Sequence, residues 1–199
     1  RINVRHALGY SCNIFFYEIG RIMGIDNIRQ YAYYYGLGEP TGIEIKERIG
    51  QVSNPDWAAD QGINWYHGDV LQASIGQGYS LFSPIQMAEY CATIANSGTR
   101  YSSSILKAIR NYDYSEKIYE RVPEVMSTVE TGQYNWDAVH EGMYKVVNDY
   151  INEKNVMEWV DCAWTVAGKT GTSRKYDASR GGYSGKYFAS FNSGSRLRY

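Results

Sequence analysis

The stretch Val166-Ala167-Gly168-Lys169-Thr170-Gly171-Thr172-Ser173, near the end of the chain, joins a β-type run to a lysine and several hydroxyl side chains. Its Gly-Lys-Thr part also matches the end of a phosphate-binding loop, which needs a glycine five residues before Gly168. Position 163 is Ala163, and the residues before the lysine are strand-like rather than glycine-rich. We therefore exclude nucleotide binding at this segment.

The bulk composition predicts one globular domain without a metal or nucleic-acid site. The chain has 199 residues, of which 44% are hydrophobic, and its formal net charge is −1. That length can bury a sizeable core, and a near-zero charge argues against a nucleic-acid partner. Because Cys12, Cys91 and Cys162 form no Cys-x-x-Cys pair, we expect no zinc site and no other cofactor. No run approaches the roughly 18 apolar residues of a membrane span.

Hydrophobic spacing predicts a helix-rich first half. Two successive helices are expected between Phe15 and Gly36, divided at Gly24. The alternation in Ile43-Glu44-Ile45 predicts a short strand. Residues 50–68 lack periodicity and are predicted to form an ordered loop, and Gly76-Gln77-Gly78 is predicted to form a tight turn.

Ser83-Pro84-Ile85-Gln86 is a strong helix start. Ser83 can act as the N-cap, Pro84 suits the first helical position, and Gln86 can close a capping box. This helix is predicted to carry Ile85, Ala88, Ala92 and Ala95 on one face and to end near Gly98. Residues 100–122 are predicted as short strands and turns, and a further amphipathic helix is expected between Tyr134 and Tyr150.

A Ser-x-Asn element, Ser11-Cys12-Asn13, lies far upstream of the lysine segment. Alone it is a weak signal, since about half a match is expected by chance in this length. An asparagine before a helix is also most often a cap, so Asn13 has that simpler interpretation. Serine transpeptidases and β-lactamases, however, use a Ser-x-Asn element followed by a Lys-Thr-Gly strand.

Five blocks of the chain resemble, in order, the transpeptidase domain of monofunctional (class B) penicillin-binding proteins. The first block contains both Tyr10-Ser11-Cys12-Asn13-Ile14 and Tyr35-Gly36-Leu37-Gly38-Glu39-Pro40-Thr41-Gly42. The other four contain Gly76-Gln77-Gly78, Ser83-Pro84-Ile85-Gln86-Met87-Ala88, Glu141-Gly142-Met143 and the segment 166–173. The resemblance implies an α+β fold of the β-lactamase/transpeptidase type. It would combine a helical subdomain with part of an antiparallel sheet, in one domain over residues 1–199.

Two departures from the family pattern predict that this domain is partial. The family nucleophile is the serine of a Ser-x-x-Lys element upstream of Ser-x-Asn, and none of the ten residues before Ser11 is a serine. The family also continues beyond its Lys-Thr-Gly strand with two strands and a closing helix. Residues 187–191 could form the first of these strands, and the tail 192–199 matches nothing expected. We therefore expect the nucleophile segment, the last strands and the closing helix to be missing.

The resemblance also implies the chemistry: acyl transfer through a serine ester that is formed at the D-Ala-D-Ala bond of a peptidoglycan stem peptide. Ser11 would relay a proton to the leaving nitrogen, and Asn13 would hold the catalytic lysine and a substrate carbonyl. Lys169 would supply positive potential for the substrate carboxylate. Thr170, Gly171 and Thr172 would bind substrate, with the Thr172 N–H in the oxyanion hole and Gly171 allowing close approach.

The implied partners are stem peptides, the lipid-linked precursor and β-lactam antibiotics, together with a cell-wall glycosyltransferase, at the extracytoplasmic face of a bacterial membrane. The anchor is not in this chain, and elongation, division and sporulation are not distinguished. Two alternatives remain open. One is a β-lactamase or D,D-carboxypeptidase, against which the Gly-Gln-Gly and Ser-Pro-x-Gln blocks argue. The other is a non-catalytic remnant or β-lactam sensor, which the missing serine favours.

Overall fold

The computed structural model describes residues 1–150, 165–171, 176–177 and 182–183. The helices in this part are α1 (Val4–Gly9), α2 (Asn13–Tyr34), α3 (Pro55–Asp60), α4 (His67–Ser74), α5 (Pro84–Ala95) and α6 (Gln133–Lys145). The last helix continues into a π-helical turn, Val146–Tyr150. Residues 187–199 and Cys162, on which predictions were made, lie outside the described residues.

The strands form small antiparallel pairs. They are β1 (Thr99–Tyr101), β2 (Ala108–Arg110), β3 (Lys117–Glu120), β4 (Val125–Thr128), β5 (Tyr176–Asp177) and β6 (Gly182–Tyr183). β1 pairs with β4, β2 with β3, and β5 with β6. Short strands and turns were predicted for residues 100–122, and this is confirmed. Helices together with small antiparallel sheets also agree with the α+β prediction.

The first five helices end in the same way, with a residue of positive φ just after the C-cap. In α2 this residue is Gly36, whose N–H donates to Tyr33 O while the Leu37 N–H donates to Ala32 O. This is the Schellman arrangement, in which two late carbonyls of the helix find partners. The predicted division at Gly24 is confirmed, because its φ of 74° and ψ of 164° interrupt the helical backbone of α2.

Helix α5 begins as predicted but buries a different face. The Ser83 hydroxyl accepts from the Gln86 N–H and the Gln86 side chain accepts from the Ser83 N–H, which completes the capping box. The apolar face noted in the sequence is not the buried one, since Ala88 and Ala92 are exposed. The buried residues are Gln86, Glu89, Thr93 and Ile94.

Polar partners explain why this face can be buried. The Gln86 amide donates to Glu39 O at 2.9 Å and accepts from the Gly50 N–H at 3.2 Å. Glu89 pairs with Arg100 at 2.8 Å, and both side chains are at most 4% exposed. Arg100 also donates to the Pro40 carbonyl. A buried polar group is tolerated when it is hydrogen-bonded, and hydrophobic periodicity cannot detect such partners.

The predicted strand at residues 43–45 is absent. Glu44 instead forms hydrogen bonds with residues far along the chain. Its carboxylate accepts from the Ser104 hydroxyl, the Ile105 N–H and Arg121. The bond from the Ser104 hydroxyl, followed by that from the Ile105 N–H, lowers the pKa of Glu44 to about 2. The predicted loop over residues 50–68 contains α3, whose start is marked by Asn54 as N-cap and Pro55 in the first turn.

The apolar core brings the lysine segment against the helices. Ala167, 1% exposed, packs in one cluster with Ile94 of α5 and Met143 of α6. Gly168 then donates its N–H to the Met143 carbonyl at 3.1 Å. The segment before Lys169 is therefore held by side-chain packing and by the backbone of α6.

Candidate functional site

Ser11 lies at the junction of α1 and α2, where the chain reverses after α1. Its N–H donates to Leu8 O at 3.1 Å, and the next N–H, that of Cys12, donates to Ala7 O at 2.9 Å. These two bonds form a Schellman arrangement around the C-cap Tyr10. The arrangement exposes the Ser11 hydroxyl at the end of a short helix.

The backbone of Ser11 has a φ of 52°, in the left-handed region. Glycine occupies the equivalent position after α2, α3 and α4, as Gly36, Gly62 and Gly76, whereas Ser97 occupies it after α5. A left-handed residue with a Cβ costs on the order of 1 kcal/mol. The backbone of Ser11 is therefore strained, and a glycine here would relieve the strain but would lack the hydroxyl.

The lysine segment faces this hydroxyl directly. Lys169 Nζ lies 2.5 Å from Ser11 Oγ, 3.1 Å from the Thr170 carbonyl and 3.2 Å from Thr170 Oγ1. Ser11 Oγ and Thr170 Oγ1 are 3.4 Å apart. One ammonium and two hydroxyls thus meet at a single point, although Ser11 and Lys169 are 158 positions apart.

Lys169 is half-buried, and burial lowers its pKa below the usual 10.5. Within the part of the chain that the structure describes, no carboxylate lies within ion-pair distance of its ammonium. A buried charge without a counter-ion is costly. Lys169 is therefore suited both to pairing with an anionic group and to exchanging a proton with Ser11.

Asn13 is the first residue of α2, two positions after Ser11. Its side chain is exposed, as that of Ser11 is. The N-cap of α2 is Cys12, so the simpler interpretation of Asn13 as the cap is not what the structure has. Among the described residues, the Asn13 amide has no hydrogen-bond partner. Both its donors and its acceptor are available to another group.

Gly171 is exposed and follows Thr170 directly, with open space where a Cβ would lie. Thr172, predicted to supply an oxyanion N–H, lies outside the described residues. The structure therefore brings together Ser11, Lys169 and Thr170. Asn13 and Gly171 are their near neighbours in the sequence.

Helix α6 supports both sides of this site. Leu8 and Arg5 of α1 pack so closely on Gly142 that an added Cβ would lie 2.7 Å from Leu8 Cδ1 and 3.2 Å from the Arg5 carbonyl. Arg5 also pairs with Glu141 at 2.6 Å. Since the next residue, Met143, accepts from Gly168, the end of α6 sets the distance between Ser11 and Lys169.

Sequence reasoning missed Asn148, in the π-helical turn after α6. Its Nδ2 donates to Val166 O at 3.0 Å and to Tyr144 O at 2.8 Å. The only available signal was its place just after Val146 and Val147 in an amphipathic pattern, which does not distinguish it from any other polar residue of the helix.

Gly76-Gln77-Gly78 was predicted to be a tight turn, and this is confirmed by φ values of 74° and 87° at the two glycines. No cluster of three or more metal-ligating side chains occurs within the described ranges. No helix in those ranges combines the length and apolar character that crossing a bilayer requires.

An α+β fold in which a Ser-x-Asn turn faces a Lys-Thr-Gly segment is typical of the class of serine transpeptidases and serine β-lactamases. The chain belongs to the penicillin-binding protein transpeptidase domain family, whose model matches residues 1–195. The recognition made on the five sequence blocks is thus confirmed.

Individual relatives agree with this membership. The chain is 30% identical over 177 residues to the peptidoglycan D,D-transpeptidase MrdA of Haemophilus influenzae, a match that covers 87% of this chain and 27% of that protein. It is 28% identical over 196 residues to penicillin-binding protein H of Bacillus subtilis, covering 88% of this chain and 26% of the relative. The chain therefore spans about a quarter of the length of these curated relatives.

Solved structures confirm the fold. A chain of a peptidoglycan synthase complex, described as coordinating polymerization and crosslinking, matches with a TM-score of 0.73 and 28% identity, over 90% of this chain and 29% of that one. The penicillin-binding protein PBP2 in complex with MreC from Helicobacter pylori matches with a TM-score of 0.71 and 26% identity, over 86% and 30%.

Proposed function

We propose that the protein is a peptidoglycan D,D-transpeptidase that works through an acyl-serine intermediate and is acylated by penicillin. In this account the described residues supply two walls of the cleft, Ser11 with Asn13 on one side and Lys169 to Gly171 on the other. The observation that carries the proposal is the 2.5 Å contact between Lys169 Nζ and Ser11 Oγ.

The contact suits the proton transfer that acylation requires. A serine nucleophile attacks the carbonyl of the penultimate D-Ala, an ester C–O bond forms, and the amide C–N bond breaks. The leaving amine must receive the proton that the nucleophile loses. Ser11, hydrogen-bonded to a lysine whose pKa is lowered by burial, can pass that proton towards the leaving nitrogen. An acceptor amine then attacks the ester and releases the serine.

The unpaired ammonium of Lys169 supports an anionic substrate. The C-terminal D-Ala of a stem peptide carries a carboxylate, and β-lactams carry one in a similar position relative to the reactive carbonyl. Charge-assisted hydrogen bonds to such a group are about twice as strong as neutral ones. The Thr170 hydroxyl, 3.2 Å from the same ammonium, adds a second donor to the carboxylate.

Gly171 and Thr172 would receive the substrate backbone. The open space at Gly171 allows an extended peptide to lie close to the lysine segment. Addition of a substrate strand at such an edge gains main-chain hydrogen bonds. The Thr172 N–H would then point at the developing oxyanion, with the nucleophile's own N–H as the second donor.

We further propose that residues 1–199 are a partial transpeptidase domain. The nucleophile and its lysine would come from a Ser-x-x-Lys element encoded upstream of Arg1, and the last sheet strands and closing helix from residues downstream. The chain's span of about a quarter of its curated relatives supports this division.

Three measurements test the proposed transpeptidase function. First, the sequence encoded upstream of Arg1 should contain Ser-x-x-Lys. Second, the protein extended to include it should form one covalent adduct with fluorescent penicillin, whereas the 199-residue chain should form none. Third, the extended protein should join a stem pentapeptide donor to an added amine and release D-Ala. An adduct on the 199-residue chain would overturn the proposed division of the domain.

The product separates the alternatives. Release of D-Ala with water as the only acceptor indicates a D,D-carboxypeptidase, and rapid hydrolysis of the penicilloyl ester indicates a β-lactamase. A stable adduct without turnover of stem peptides indicates a sensor. Transfer to the amine is the outcome that the proposal requires.

Stem peptides and the lipid-linked precursor are proposed as substrates, which places the site at the extracytoplasmic face of a bacterial membrane. A cell-wall glycosyltransferase is proposed as a partner, since a similar chain belongs to a peptidoglycan synthase complex that coordinates polymerization and crosslinking. Co-purification of the extended protein with such an enzyme from membranes tests this assignment.

A further inference from the structure

The segment that leads into Lys169 is attached to the end of α6 at three successive residues. Val166 offers its carbonyl to Asn148 Nδ2 at 3.0 Å, the Ala167 side chain is buried beside Met143, and the Gly168 N–H donates to Met143 O at 3.1 Å. In an extended chain the carbonyl of one residue and the N–H two residues later point to the same side. The attachment therefore runs along one edge of the segment and stops one residue before the lysine.

The change from α- to π-helical hydrogen bonding makes this attachment possible. A passage from i+4 to i+5 bonding leaves a carbonyl at the transition without its usual helical donor, and such turns are frequent at functional sites. The transition falls after Lys145. Met143 O and Tyr144 O, just before it, accept from the Gly168 N–H and from the Asn148 side chain.

Asn148 has the chemistry that this position needs. Its amide nitrogen carries two N–H groups, and one can be directed at Tyr144 O within the helix while the other reaches Val166 O across to the lysine segment. Among the hydrogen bonds of the described residues, two tie the segment to the helix end, and the one from Asn148 depends on a side chain, so a substitution can remove it.

We propose that Asn148 is a positioning residue that fixes Lys169 at hydrogen-bond distance from Ser11. The assignment rests on the proposed function, because Lys169 and Ser11 matter together only if they share a proton path. The bond to Val166 limits movement of the segment along and away from α6. The three-residue distance from Val166 to Lys169 is short enough for that restraint to reach the ammonium.

The experiment follows the ε-CH₂ resonance of Lys169 in the 199-residue chain by ¹³C NMR between pH 7 and 12, assigned through Lys169→Arg. In the wild type the midpoint should lie below 10.5, because burial disfavours the ammonium and lowers the pKa of Lys169. Asn148→Leu keeps the volume and removes both donors, so the midpoint should move up towards 10.5. Asn148→Gln retains both donors and should recover part of the wild-type shift.

Asn135→Leu is the matched control. Asn135 also lies in α6 and donates its amide, to Thr131 Oγ1 at 2.6 Å, but at the opposite end of the helix. Its substitution should leave the Lys169 midpoint unchanged. Should Asn148→Leu fail to fold, Asn148→Ser carries the test. The serine hydroxyl can donate to the carbonyl of Tyr144, four residues earlier in the helix. The serine side chain is too short to reach the carbonyl of Val166.

In the extended protein the same variants are compared for the second-order rate of acylation by fluorescent penicillin. Asn148→Leu should slow acylation about 10- to 100-fold, the loss expected for a catalytic group misplaced by about 1 Å. A folded Asn148 variant with an unchanged Lys169 midpoint and an unchanged acylation rate would overturn the assignment. Absence of acylation in the wild type as well would contradict the proposed function alone, since the NMR midpoint still reports on Asn148.

Discussion

The ammonium of Lys169 donates to the hydroxyl of Ser11 at 2.5 Å, across 158 positions of sequence. The end of α6 positions both residues. Helix α1, which precedes Ser11, packs on it at Gly142, and the lysine segment is hydrogen-bonded to it at Met143. The packing at that helix end therefore determines the distance between Ser11 and Lys169. The following predictions test the parts of this arrangement separately.

Ser11 and Ser97 provide a test of backbone strain against function. Both have positive φ, 52° and 62°, after the C-cap of a helix. Ser11→Gly and Ser97→Gly should each raise the free energy of unfolding by about 1 kcal/mol, because glycine adopts this conformation without a Cβ clash. Urea unfolding measures the gain.

Only the first of these two variants should lose function. In the extended protein, Ser11→Gly removes the hydroxyl at the site and should nearly abolish acylation by penicillin, whereas Ser97→Gly should acylate normally. Equal acylation rates in the two variants would show that the Ser11 hydroxyl has no part in the chemistry.

The lowered pKa of Lys169 predicts a pH dependence of stability. Below its folded pKa the native state holds a desolvated ammonium, and between that pKa and 10.5 the unfolded state binds more protons. The free energy of unfolding should therefore rise with pH in this window. Lys169→Met, which cannot titrate, should lack this rise when both chains are unfolded in urea from pH 7 to 10. Parallel curves for the two proteins would contradict the pKa assignment.

Gly142 tests the contact between α1 and α6. In Gly142→Ala the new Cβ would lie 2.7 Å from Leu8 Cδ1 and 2.9 Å from Leu8 Cβ, so α1 must move away. Overpacking of this kind costs about 1–3 kcal/mol, and the displaced Ser11 should slow acylation as well.

The matched control for this prediction is Gly68→Ala, in α4. No atom lies within 4 Å of the Cβ that would be added there. Alanine in a helix is favoured over glycine by roughly 0.5–1 kcal/mol. Thermal unfolding should therefore show a lower midpoint for Gly142→Ala and an unchanged or higher one for Gly68→Ala.

The ion pair of Glu89 and Arg100 should be the more costly of two pairs to break. Both side chains are at most 4% exposed, so Glu89→Gln leaves a buried guanidinium without its counter-charge. Loss of one partner of a buried pair typically costs about 3–5 kcal/mol. Glu18→Gln breaks the exposed pair with Arg21 and should leave the free energy of unfolding almost unchanged, because solvent screens an exposed pair. Similar losses in the two variants would contradict the structural role given to Glu89.

Local signals in the sequence predicted much of this fold because they act over a few residues. The capping box of α5, the division at Gly24 and the turn at Gly76-Gln77-Gly78 depend on neighbours within four positions, and all are confirmed. Long-range polar contacts were not predictable in this way. Glu44 was assigned to a strand, yet its partners are 60 to 77 positions away.

The same distinction applies to the site. Ser11, Asn13 and Lys169 were identified because their motifs resemble a family, and their proximity could not be derived from spacing. The buried face of α5 could not be identified from the sequence, since the pattern of apolar residues gave no sign that Gln86 and Glu89 have buried partners. Asn148 has no motif of its own, and only its contact with Val166 reveals it.

The central claim is that Ser11 and Lys169 act together on one proton path, and a double-mutant cycle tests it most directly. The measurement is the second-order rate of acylation by fluorescent penicillin in the extended protein, for wild type, Ser11→Ala, Lys169→Ala and the double variant. Each single substitution should slow acylation at least about 100-fold, the contribution typical of a positioned proton-transfer group. The double variant should be no slower than the slower single variant, as for residues that act as a unit. Single variants that acylate like the wild type, or losses that multiply in the double variant, would contradict the claim.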